Sequence, residues 1–235
     1  MNKPLALFDI DKTMFNGLSY FPLLDAQVEE GLVDSSVSEQ ADNSMQKYKE
    51  HPLGYEDFVK DLLDIYAEGL RGKAEADVEK STNGFFSEST AFFGYVAPTI
   101  KLLSTTHEVV LVTGSSHFTA KAVAKVFGVQ SYVSTELGVD NGTLNGKVRS
   151  YLATRHEKKD AIRHLTDSHP YADSFGFGDS EGDIEMLRAV QNPICIQPTN
   201  GLSEVAQKHG WAIIDKQEDL TSHGGLLIVK HALNI

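Results

Sequence analysis

An apolar run from Leu5 to Phe8 stops on two acids, in the stretch Asp9-Ile10-Asp11-Lys12-Thr13. A continuous run of this kind predicts a strand buried on both faces, which confines the chain to a sheet covered by helices on each side. Residues two apart on a strand share a face, so the carboxylates of Asp9 and Asp11 are expected to point together beyond the strand's carboxyl end. Like charges held this close repel and raise one another's pKa, and they are stable only around a cation or a shared proton. Asp-x-Asp alone is a weak signal, because the tripeptide also occurs in ordinary turns.

The rest of the chain repeats the pattern. Glu108-Val109-Val110-Leu111-Val112-Thr113-Gly114 is a second buried strand, followed at once by a helix with Ser115 or Ser116 as N-cap and Gly128 as its stop. Such a junction offers an anion a hydroxyl and free backbone N–H groups. Ser131 to Leu137 is a third strand, and Asp140-Asn141-Gly142-Thr143 is a hairpin turn. A helix over Arg155 to Leu165 precedes Ser174-Phe175-Gly176-Phe177-Gly178-Asp179, a strand that ends on a third acid. Asp183, three residues after Ser180, fits a capping box at the next helix start. Pro193 to Ile196, a helix over Leu202 to Lys208 and Trp211 to Asp215 complete the alternation. Strands alternating with helices give an α/β fold, a doubly wound parallel sheet, in which ligands bind beyond the carboxyl ends of the strands.

Residues 15 to 90 break this pattern. They carry 16 acids and 6 bases, and their period is helical, through Tyr55, Phe58, Leu62, Ile65 and Leu70. We expect a helical insert over 15–89, with 1–14 and 90–235 forming the core, and Asn83-Gly84 with the aromatic run Phe85, Phe86, Phe92 and Phe93 marking the return towards it. A formal charge of -12 argues against a nucleic-acid partner. The single cysteine, Cys195, excludes an intrachain disulfide and a thiolate zinc cluster. The start runs directly into the first strand, so the expectation is a cytoplasmic protein with no signal peptide and no membrane span.

Asp9, Asp11, Thr113 and Asp179 thus fall at the ends of three strands spread over most of the chain. This constellation resembles the haloacid-dehalogenase-like superfamily, in its phosphoserine-phosphatase-like branch with a helical cap after the first motif. The matching motifs are Asp9-Ile10-Asp11-Lys12-Thr13, Val112-Thr113-Gly114-Ser115, a lysine at 158 or 159, and Gly178-Asp179-Ser180-Glu181-Gly182-Asp183. The resemblance implies a phosphomonoesterase acting on a small phosphorylated metabolite. It implies Asp9 as nucleophile, forming an aspartyl-phosphate, and Asp11 as general acid and base. Mg²⁺ would be held by the Asp9 carboxylate, the Asp11 carbonyl and Asp179, with Asp183 in support. Thr113, Gly114 and the lysine would bind the phosphoryl oxygens. Lys158 is favoured over Lys159, because it stands four residues before Ile162 on the buried face of its helix, whereas Lys159 is turned away by about 100°.

Two positions depart from the branch. Lys12 stands where a small residue is frequent, and Leu18 lies about where phosphoserine phosphatases carry a substrate-reading Glu, which puts phosphoserine itself in question. Two other classes compete. Gly178-Asp179-Ser180-Glu181-Gly182 fits a serine-esterase elbow, with Asp215 or Asp219 and then His223 or His231 following, but that chemistry leaves Asp9, Asp11 and Thr113 without a task. A non-catalytic phospho-acceptor module would need neither Asp11 nor the insert.

Overall fold

The structure is a computed structural model and describes residues 2–50, 54–216 and 220. Its centre is a seven-stranded sheet with the order β4-β3-β2-β1-β5-β6-β7. The strands are β1 (Leu5–Phe8), β2 (Glu108–Ser116), β3 (Ser131–Asp140), β4 (Thr143–Ser150), β5 (Phe175–Gly178), β6 (Asn192–Ile196) and β7 (Ala212–Ile214). All neighbours pair in parallel except β3 and β4, which form the antiparallel hairpin read from Asn141-Gly142. Both turn residues have positive φ, 51° and 76°, as a two-residue hairpin loop requires. From β1 the order runs to β2 and β3 on one side and to β5, β6 and β7 on the other. The switch point therefore lies at the carboxyl end of β1, where a crevice opens in folds of this kind.

The sheet is covered by α5 (Val96–Leu103), α6 (His117–Phe127), α7 (Arg155–Ser168), α8 (Ile184–Arg188) and α9 (Asn200–His209). One face packs Phe8, Phe177, Phe175, Val123 and Ile100, with Phe8 and Phe177 stacked at 4.1 Å between ring centroids. The other face packs Leu5, Leu7, Val110 and Val112 against Ile162 of α7 and Met186 of α8. The alternate residues of β1 thus go to opposite faces, which explains why its sequence is apolar throughout.

The described residues of 15–90 hold four helices: α1 (Tyr20–Glu29), α2 (Ser35–Glu50), α3 (Tyr55–Gly69) and α4 (Glu75–Glu88). A separate apolar cluster joins Leu24, Val37, Phe58, Leu62, Tyr66 and Val78, and it extends onto Leu137 and Leu144 of the β3–β4 hairpin. The return towards the main core runs through Phe86 and Phe93, which join the cluster of Phe8 and Phe177. Asn83-Gly84 itself lies inside α4, whose buried positions Val78, Thr82 and Phe86 recur every four residues, so packing on that face overrides the turn preference of the pair. Strand β1 also ends earlier than expected, at Phe8, so Asp9 and Asp11 belong to the loop that follows it.

Candidate active site

The loop after β1 is a tight knot. The Ile10 carbonyl accepts from the N–H groups of Thr13, Met14 and Phe15, and the Tyr95 hydroxyl donates to the Thr13 carbonyl at 2.7 Å. Lys12 sits at φ 56°, a left-handed conformation that costs a non-glycine residue about 1–3 kcal/mol and is found mainly where a site demands it. Its N–H donates to Gly17 O, and Gly17, at φ 114°, turns the chain so that Ser19 N reaches back to Asp11 Oδ1 at 2.6 Å. The Ser115 hydroxyl donates to Asp11 Oδ2 at 2.6 Å. Asp11 is therefore held by a donor on each oxygen, and it borders the same cavity as Asp9.

Asp9, Asp179 and Asp183 converge on one another. Each offers a carboxylate oxygen within 4.8 Å of the others, and all three are buried. Lys158, in the first turn of α7, donates to Asp9 Oδ1 at 2.7 Å and to Asp183 Oδ1 at 2.6 Å. The other Asp183 oxygen accepts from Asp179 N, Ser180 N and the Ser180 hydroxyl. Asp183 thus ties the lysine to the loop that carries Asp179. Lys159 points elsewhere, pairing with Glu185 at the surface.

The electrostatics follow from burial. Desolvation, with Asp183 nearby, raises the pKa of Asp9 despite Lys158, and it raises Asp179 in the same way beside Asp183 and Asp9. Burial alone would lower Lys158, but Asp183 and Asp9 outweigh it and keep the ammonium charged. Three carboxylates around one ammonium leave an excess of buried negative charge on hard oxygen donors, a set that suits Mg²⁺.

Thr113, Gly114, Ser115 and Ser116 border the same cavity, beside Asp9, Asp11, Lys158 and Asp179. Ser115 N donates to the Thr113 hydroxyl, and the Thr135 hydroxyl fixes the Gly114 carbonyl. Ser116 caps α6 by accepting from Thr119 N. The Ser180 hydroxyl is engaged with Asp183, and no histidine among the described residues borders the cavity. Asp219, His223 and His231 lie outside the described residues. Sequence reasoning read Ser115 as an N-cap option and a member of the second motif, and missed it as the partner of Asp11. Its place in Thr113-Gly114-Ser115, directly after a buried strand, was the available signal.

A model of the haloacid dehalogenase-like hydrolases matches residues 6–188, a span that contains the whole acid cluster. The chain belongs to this family. The histidinol-phosphatase of Neisseria meningitidis serogroup C (strain 8013) is 22% identical over 226 residues, spanning 91% of this chain and 99% of that protein. A protein of unknown function from Bordetella pertussis Tohama I has the same fold, with a TM-score of 0.76 at 24% identity over 92% of this chain and 99% of that one. A substrate-bound phosphoserine phosphatase superposes with a TM-score of 0.66 at 19% identity, over 92% and 95% of the two chains. No helix among the described residues is long and apolar enough to cross a membrane.

Proposed function

We propose that this hydrolase is a Mg²⁺-dependent phosphomonoesterase that acts on a small phosphorylated metabolite through an aspartyl-phosphate on Asp9. The observation that carries the reading is the buried cluster in which Lys158 holds Asp9 and Asp183 while Asp179 stands beside them. Lys158 fixes one Asp9 oxygen, leaving the other to attack phosphorus. Asp11, oriented by Ser19 N and Ser115, is set to protonate the leaving alkoxide and then to take a proton from the water that attacks the aspartyl-phosphate. Thr113, Gly114 N–H and Lys158 would bind the phosphoryl oxygens. Asp9, Asp179 and the Asp11 carbonyl would hold Mg²⁺, with Asp183 keeping Lys158 and the Asp179 loop in place. When bound, the cation neutralises the acids and withdraws charge from the phosphoryl oxygens.

In this reading residues 15–89 act as a cap that encloses the alcohol part of the ester. The cavity has a volume of about 80 Å³, which supports a small metabolite over a phosphoprotein. The relatives' names put L-histidinol phosphate and O-phosphoserine on the first panel, with p-nitrophenyl phosphate as a generic ester. Phosphate release should require Mg²⁺, stop in EDTA and vanish in Asp9→Asn. Asp11→Asn should slow both steps and allow the aspartyl-phosphate to be trapped and detected by mass spectrometry. Full activity in chelator, or an active Asp9→Asn, would overturn the reading.

A further inference from the structure

The chamber has two chemically different halves. Among the described residues, every charged side chain bordering it comes from the sheet side: Asp9, Asp11, Asp179 and Lys158. The other half, from the loop before α1 and from α1 and α3, is built of Leu18, Tyr20, Tyr55, Phe58, Leu62 and Tyr66. Residues 15–90 carry 16 acids, yet among the described residues none of them borders the chamber. The most acidic part of the chain presents an uncharged wall to the site.

The tyrosines do not undo this. Tyr20 donates its hydroxyl to Leu62 O and Tyr66 donates to Gln27 Oε1, both at 2.9 Å, so these two turn ring carbon rather than a free hydroxyl towards the space. Burial, with Asp179, Asp11 and Asp9 nearby, keeps the Tyr55 phenol protonated and neutral. A cation could in principle stack on these rings. However, the Tyr55 ring already carries the Lys12 ammonium, 5.9 Å from its centroid, and a second positive charge beside it would be repelled.

We propose that the alcohol part of the substrate is uncharged and apolar, an aromatic or aliphatic primary alcohol, and that the wall disfavours both an ammonium and a carboxylate. A charged substituent placed against this wall leaves water and meets no opposite charge from it, which is strongly unfavourable. An apolar group gains by leaving water and by contact with the rings. The inference rests on the phosphatase reading for the direction in which the ester lies.

The test uses primary-alcohol esters so that leaving-group reactivity stays comparable. With the full chain and Mg²⁺, benzyl phosphate should exceed phosphoethanolamine and O-phosphoserine in kcat/KM by at least about 30-fold. Binding gives a second readout that needs no turnover: benzylphosphonate should bind at least about 10-fold more tightly than 2-aminoethylphosphonate in calorimetry. Leu18→Glu, at a half-buried loop position, should narrow both ratios by favouring the amine. Hydrolysis with phosphoethanolamine or phosphoserine preferred would overturn the substrate class and leave the phosphatase reading intact. If no ester is hydrolysed, the phosphatase reading falls, and equal or reversed phosphonate affinities would still refute the apolar wall.

Discussion

Gly178 is the residue whose side chain must be absent for the acids to meet. A Cβ built there would lie 2.6 Å from Asp183 Cβ and 2.7 Å from its Cγ, closer than such atoms approach. Asp183 cannot swing aside, because one oxygen holds Lys158 and the other accepts three hydrogen bonds. Gly178→Ala therefore overpacks a fixed position, at about 1–3 kcal/mol. For a chain of this size each kcal/mol lowers Tm by about 2–4 °C, so the expected fall is about 2–12 °C. Catalysis should suffer more than stability, since the same push moves Asp183, Lys158 and the neighbouring Asp179, and a displacement near 1 Å can lower rate about 100-fold. Gly182→Ala is the control: its Cβ would meet only Ser180 Oγ, at an ordinary 3.5 Å. Scanning calorimetry and kcat on a generic ester should separate the two variants. Gly178→Ala with Tm within 1 °C and kcat within about twofold of the parent would refute the steric reasoning.

Lys158→Ala should lower kcat by about 100-fold or more, whereas Lys159→Ala, which loses only a surface pair with Glu185, should stay within about twofold in the same assay. Without metal, stability should fall as pH rises from the ordinary carboxylate value of 3.8 towards about 7, where Asp9 is pushed chiefly by burial, because the unfolded chain has already released a proton that the folded one retains. Urea titrations in EDTA across that range check the slope. Mg²⁺ at 100 times its Kd should add about 2.7 kcal/mol and flatten the slope. Gly84→Ala, in the exposed middle of α4 with open space around the new Cβ, should raise stability by about 0.5–1 kcal/mol in the same titrations.

The sheet was legible because burial on both faces leaves long apolar runs, as in β1 and in Val109 to Val112 of β2, and because Asn141-Gly142 has a backbone meaning of its own. Lys158 could be placed by helix phase alone, since Ile162 marks the face that α7 buries. The hydrogen-bond partners of Asp11 could not. Once β1 stops at Phe8, the alternation of a strand no longer governs the residues beyond it, and the contact with Ser115 spans 104 positions that no local period connects. Asn83-Gly84 sits inside a helix for a related reason: turn preference is a local quantity, and the face through Val78, Thr82 and Phe86 is fixed by what α4 packs against.

Glu157 has two attachments at once. One of its oxygens accepts from Ala153 N and Thr154 N at the start of α7, and the other accepts from Lys60 of α3 at 2.9 Å. Around this point Arg155 N donates to Glu56, and the Tyr151 hydroxyl donates to Asp64. The next residue along α7 is Lys158. Under the proposed function α3 borders the alcohol and this turn presents Lys158 to the phosphoryl group, so the Lys60–Glu157 pair would tie the two halves of the site together, and because both side chains are about a third exposed, that tie weakens as salt is added.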